Sequence, residues 1–228
     1  LMAHVAREII EDNGLSDVIT VIAKGSDQLK IGVDIPESVD VILCDVFTGS
    51  LLEAGGLGLV ARASQTFLKG GGQVVPQIGS ITGCLAGSDG LEALCRCSRT
   101  DGMDLRRFNL FSPSRLQIQP DQFQTLDIEY FSQPINGFEF RIGESTSDRP
   151  QQQQIEIEIT QSGLITGFLQ WTDLELAPGI RLHGGPDQVI NWPRFLHVFP
   201  DPIEVRTGQK LRLILEHNAR RFSVWPDM

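Results

Sequence analysis

Apolar residues change their period near residue 78 of this chain. Before that point they recur at helical spacing or in short solid runs, and after it they alternate with polar residues. Residues 1–13 place Met2, Val5, Ala6, Ile9 and Ile10 at helical spacing, and Asn13-Gly14 follows as a stop. Residues 18–23 read as a strand. Past a polar turn and Pro36, the run Val39-Asp40-Val41-Ile42-Leu43-Cys44 is nearly all apolar, the pattern of a central parallel strand buried on both faces. It ends in Asp45, at the carboxyl edge where open α/β sheets place their ligands. Residues 57–69 predict a second helix with Leu59, Ala63 and Phe67 on one stripe. Gly70-Gly71-Gly72 reads as its C-cap and turn, and Gln73-Val74-Val75-Pro76 opens another strand. The order is that of an incomplete doubly wound sheet, which needs more strands in front of Leu1.

The second part of the chain reads as an antiparallel barrel or sandwich. Period-two alternation marks residues 126–131, 138–142, 155–160, 165–171 and 210–215. Residues 84–122 break that rhythm, and 102–109 suggest a short helix in an excursion from the barrel. Pro150-Gln151-Gln152-Gln153-Gln154 is low in complexity and reads as a solvated loop. Two units follow, residues 1–78 and residues 79–228.

Composition narrows the function. The chain has 228 residues, 41% hydrophobic and 21% charged, with a formal net charge of −10. A general nucleic-acid binder needs a basic footprint, so that class is set aside, and cationic partners suit the acidic balance. No apolar stretch is long enough to cross a bilayer, and the N-terminus lacks the layout of a signal peptide. Cys44, Cys84, Cys95 and Cys97 have no zinc-site spacing and read as free thiols of a reducing cytoplasm. The four histidines show no ligand spacing either. Gly70-Gly71-Gly72 follows a helix instead of opening one, so it is no phosphate cradle.

The order of elements, α/β giving way to a barrel with an early helical excursion, resembles the protein arginine methyltransferases over essentially the whole chain. Ile22 to Leu29, with Ser26, Asp27 and Gln28 at its centre, resembles the family segment that meets the cofactor adenine. Val39 to Leu57 resembles the strand and the loop whose two carboxylates grip the substrate guanidinium. Residues 102–109 resemble the dimerisation arm. Gln188 to Trp192, followed by Phe195 to Phe199, resembles the threonine-histidine-tryptophan loop and its strand. The ending Phe222-Ser223-Val224-Trp225 is similar to the two-module, monomethylating branch.

The resemblance implies S-adenosylmethionine as cofactor, with Ser26, Asp27 and Gln28 on its adenine side. It implies Asp45, Glu53, Asn191 and Trp192 as catalytic-site residues, an arginine-containing protein as substrate, and pairing as a homodimer or with a sibling module. Two carboxylates can hold a planar guanidinium in a fixed orientation, and an aromatic wall such as Trp192 adds cation–π attraction. Orientation then supplies most of the acceleration.

The sequence also departs from the family. The first glutamate is Asp45, one methylene shorter. The second is either Glu53, one position early, or its ungapped equivalent, Ala54. Asn191 replaces the loop histidine. The glycine-rich first motif and the ribose-binding acid lie upstream of Leu1 in the family, so weak or absent cofactor binding is expected of this chain alone. An alternative reading is a degenerate methyltransferase module that serves dimerisation or docking.

Overall fold

The computed structural model describes residues 1–145 and 149–227, with Ala54 as backbone alone. Helix α1 (Met2–Asp12) ends as its sequence predicts, with Asn13 as cap and Gly14 in the left-handed region at φ 66°. Its apolar stripe is uncovered: no residue of the helix is buried. Residues 18–23 are irregular, not the expected strand. A strand needs a neighbour for its N–H and C=O groups. Strand β1 (Val39–Leu43) finds its only partner, among the described residues, in the parallel β2 (Leu68–Val75). Residues 18–23 are tied instead to α1, where Arg7 Nη2 donates to the Val21 carbonyl at 3.2 Å.

Three further expectations are corrected here. The first concerns β1, which is covered on one face only. Ile42 and Cys44 pack against the main core, whereas Val41 and Leu43 are 53% and 78% exposed. In helix α2 (Gly56–Phe67), the second, the buried stripe is Leu57, Val60, Ala61 and Phe67, so of the expected Leu59, Ala63 and Phe67 only Phe67 is buried. The third is the cap of α2, which is Leu68. The three glycines lie inside β2 as a bulge: Val39 pairs with Leu68 and Val41 with Gln73, so β2 advances further than β1 between these pairs. Gly71 takes φ 82° there, which a side chain would strain.

Strand β3 (Ile78–Gly87) turns the chain into the antiparallel part. Its regularly spaced Gly79, Gly83 and Gly87 permit close packing. A Cβ on Gly83 would sit 2.3 Å from the Phe168 ring. The excursion follows: α3 (Asp89–Cys95), the short hairpin β4 (Arg99–Thr100) and β5 (Met103–Asp104), and a 3-10 turn at Arg106–Phe111. Strand β6 (Arg115–Ile118) and α4 (Pro120–Thr125) lead back to β7 (Glu129–Tyr130) and β8 (Ile135–Arg141). Residues 84–87 and 115–118 therefore belong to the sheet, and the protrusion is shorter than 84–122.

The remaining strands are β9 (Gln151–Glu158), β10 (Gly163–Ala177), β11 (Ile180–Leu182), β12 (Arg194–Val205), β13 (Lys210–His217) and β14 (Phe222–Pro226). The glutamine run is not a loop. Gln151 to Gln154 pair with β13, and the Gln153 amide donates to the Gly137 carbonyl. Seven strands form one sheet, with β6-β12-β10-β3-β7 in order and β8 and β11 attached, and β14-β13-β9 form a second. Both face a core that includes Phe131, Phe138, Phe140, Phe168, Phe199 and Phe222. Each such buried ring contributes about 1.5–3 kcal/mol. The same core takes Phe47, Leu51, Leu52, Leu57 and Val60, so the loop after β1 is packed directly onto the antiparallel part.

Candidate active site

Asp45 follows β1 at the carboxyl edge of the parallel pair and is exposed. Beside it, Cys44 donates from Sγ to the Val75 carbonyl at 3.3 Å. Burial first, and the Asp45 charge second, push that thiol up to about 11, so Cys44 stays protonated and is no nucleophile. From Asp45 the loop alternates outward and inward. Val46 and Thr48 are exposed, while Phe47, Ser50, Leu51 and Leu52 are buried. The buried residues fix the loop, which leaves the carboxylate of Asp45 at its rim.

Gly49 is where this loop meets the second one. A Cβ on Gly49 would lie 1.8 Å from the Pro193 carbonyl oxygen, and Thr172 of β10 donates Oγ1 to the Gly49 carbonyl at 2.9 Å. The loop carrying Asp45 and the loop carrying Asn191 and Trp192 are thus in direct contact. Asn191 is exposed, and Trp192 is half-buried with its ring against the main core.

Glu53 lies in a 3-10 turn at the end of the acidic loop, where it is ion-paired with Arg115 of β6. Arg115 also lies over the Phe195 ring, 3.7 Å from its centroid. The Glu53 carboxylate therefore already holds a guanidinium of its own chain. The side chain of Ala54 lies outside the described residues.

Ser26 and Asp27 occupy the other side of α2. With Leu29, Leu59, Ala63 and Phe67 they line a shallow cavity of about 190 Å³. Gln28 points into solvent and is not part of it. The cavity has an apolar floor and a polar rim. It is below the roughly 300 Å³ at which pockets for whole small molecules begin, so it suits one ring and not an extended ligand. The segment behind it is held by Lys24, which pairs with Asp34 and holds that carboxyl below its usual range.

Sequence reasoning missed Thr172, Arg115 and Arg194. Arg194 is 2% exposed and opens a strand whose next residues, Phe195 and Leu196, are equally buried. A lone arginine leading an apolar strand was the available signal. Near it, Tyr130, Trp171, Asp173, His183, Pro186 and Asp187 line a cavity of about 660 Å³. Burial pushes the Tyr130 phenol up to about 12.

With this geometry in hand, comparison with known proteins is informative. An arginine N(omega)-methyltransferase of Streptomyces achromogenes is 28% identical over 94% of this chain. Protein arginine N-methyltransferase 7 of Oryza sativa is 24% identical over 77%, and that of Danio rerio 23% over 98%. The chain is similar to the arginine methyltransferases. It spans 59% of the Streptomyces protein and 36% of the zebrafish one. A Trypanosoma brucei PRMT1 enzyme–prozyme heterotetrameric complex with AdoHcy shares the fold, with TM-score 0.77 and 18% identity over 94% of this chain and 68% of that one. No family model matches the chain. Among the described residues no helix is long and apolar enough to cross a membrane, and no group of side chains could hold a metal ion.

Proposed function

We propose that these residues are the substrate-side portion of an S-adenosylmethionine-dependent methyltransferase that acts on arginine in proteins. The observation that supports the reading is the junction of two loops at Gly49 and Pro193, which joins the loop that begins at Asp45 to the loop that carries Asn191 and Trp192. Residues 1–78 then close a cofactor domain. Residues 79–228 form the substrate-side barrel, from which the excursion between β3 and β6 projects to a second copy or a sibling module. The setting is the cytoplasm.

In this reading Asp45 accepts hydrogen bonds from the substrate guanidinium and fixes its plane. Glu53 is bound to Arg115, so it braces the loop and the guanidinium is left to Asp45. Trp192 walls the opposite side, and Asn191 offers a neutral amide where the family has an imidazole. The small cavity beside Ser26 and Asp27 accepts the adenine ring only, and Gln28 stands outside it. When bound, the cofactor supplies an electrophilic methyl group on a sulfonium. The chain's own residues orient the acceptor nitrogen and screen it from water, which accounts for rate without a strong base.

A second reading, methylation of free arginine, is favoured by the Streptomyces relative, whose name specifies arginine and not protein arginine. The two separate in one experiment. The complete protein is given labelled S-adenosylmethionine with either an arginine-rich polypeptide or L-arginine. Label in the polypeptide alone supports the first reading, and label in the amino acid alone replaces it. Turnover of neither leaves the docking module as the function.

A further inference from the structure

Arg194 is buried, and among the described residues it has no carboxylate in ion-pair contact. Its Nε donates to the Gly184 carbonyl at 3.2 Å, and its Nη2 to the carbonyls of Gly185 and Gln188 at 2.6 and 2.7 Å. The guanidinium lies over the Phe123 ring of α4, 4.1 Å from its centroid. Burial lowers the arginine's proton affinity, and the nearby Asp187 charge offsets this only in part. A buried cation is costly, and an apolar residue of similar size would fill the same space at less cost. What an apolar residue lacks is a planar fork of donors able to gather three carbonyls of one loop.

The loop is held from its other side by β10. Gly184 donates its N–H to Asp173 Oδ1 at 2.9 Å, and a Cβ there would lie 2.3 Å from the Thr172 carbonyl oxygen. Asp173 thus fixes the first residue of the loop, and Arg194 fixes the turn that follows. Beyond Gln188 the chain has one short path, through Val189 and Ile190, to Asn191 and Trp192. It ends at Pro193, whose carbonyl is pressed against Gly49.

We infer that Arg194 is a positioning residue: its guanidinium shapes residues 184–188 and so aims Asn191 and Trp192 at the acidic loop. The functional half of this inference rests on the proposed methyl transfer, whereas the structural half does not. Phe123 serves as the shelf on which the guanidinium lies, and it belongs to a second, smaller core cluster with Leu169 and Leu196.

The test is hydrogen–deuterium exchange on the complete protein, read over residues 183–193 and over β10 and β12. Arg194→Ala is expected to speed exchange at Gly184 to Asn191 at least tenfold while Phe168 and Leu196 stay protected. Arg194→Lys, a point charge without the fork, should resemble it, and millimolar methylguanidinium should restore protection to the alanine variant only. If Arg194→Ala does not fold, Phe123→Leu provides the second arm, with a smaller change confined to the same loop. Unchanged exchange in the loop, or loss of protection spread evenly over the seven-stranded sheet, overturns the proposal. In methyl-transfer assays the lysine variant should raise KM for the acceptor at least tenfold and leave cofactor affinity unchanged; an unchanged acceptor KM overturns the functional half. A wild-type protein that transfers no methyl group, yet shows the exchange pattern, refutes the proposed function and leaves the positioning intact.

Discussion

Gly49 and Pro193 are packed so closely that a single added methyl group on Gly49 would sit 1.8 Å from the Pro193 carbonyl oxygen. No rotamer relieves such a clash, because both partners are backbone. The glycine is therefore required for contact between the two loops and not for an unusual φ. Gly49→Ala is expected to force the loops apart, with a loss of about 1–3 kcal/mol, the usual cost of overpacking. Urea unfolding of the variant measures the loss, and methyl transfer should fall with it. A variant as stable and active as wild type would show that the loops do not meet in this way.

Asp45 is exposed at the end of β1 and has no ion-pair partner among the described residues, whereas Glu53 is held by Arg115. This asymmetry predicts different outcomes for equivalent substitutions. Asp45→Asn should abolish arginine methylation by the complete protein while S-adenosylhomocysteine affinity stays within twofold. Glu53→Gln should retain measurable turnover and instead loosen the loop, as read by its proteolytic sensitivity. If Asp45→Asn turns over normally, Asp45 does not touch the guanidinium.

Much of this site was legible because its residues sit at the ends of strongly patterned elements. The apolar run before Asp45 marks β1, although only one of its faces is covered, whereas Phe195 to Phe199 of β12 were legible only through the family resemblance. What was hidden depends on long-range backbone contact. The three-glycine bulge keeps β2 going where a helix cap was expected. Gln151 to Gln154 have no apolar signature because they lie at a sheet edge, where their polar side chains meet solvent. The strand expected at 18–23 illustrates the opposite error. Its β-branched residues favour extension, but extension becomes a strand only beside a partner.

The protrusion exposes apolar side chains that solvent does not favour. Phe108, Leu110 and Phe111 are 61%, 88% and 82% exposed, and all three lie in one 3-10 turn. A contiguous exposed apolar patch of this kind marks an interaction surface. Replacing the three with serine should leave far-ultraviolet circular dichroism unchanged and shift the complete protein from dimer to monomer in sedimentation velocity. Wild-type protein that sediments as a monomer at high concentration would remove the arm from self-association.

The cavity beside Ser26 and Asp27 is small enough for one side chain to fill. Ala63 lies on its wall, on the side of α2 turned away from the core. Ala63→Leu should block an adenine ring while sparing the buried stripe of Leu57, Val60 and Ala61. The expected result is at least tenfold weaker S-adenosylhomocysteine binding by calorimetry, with little change in melting temperature. Unaltered affinity would place the adenine elsewhere.

His197 gives the fold a defined response to acid. Its Nε2 lies 2.8 Å from Gln170 Oε1, the Phe222 ring meets its edge at a centroid distance of 5.0 Å, and the side chain is buried. Burial pushes it down to about 3, and the charges of Arg115 and Arg221 add to that effect. His217, buried against Phe138 and Phe140, is lowered for the same reason of burial. In the unfolded chain a histidine titrates near its ordinary value of about 6.5. Between that pH and about 3 the unfolded state binds a proton that folded His197 refuses. The His197 contribution is therefore complete above about pH 6.5 and is lost as pH falls, by about 1.4 kcal/mol per pH unit. Carboxylates titrate in the lower part of this window, so the informative interval is pH 6.5 to 5. His197→Gln removes one titrating group and should reduce the slope of urea-unfolding free energy against pH by one proton's worth there. Equal slopes for wild type and variant would mean that His197 takes up its proton within the fold.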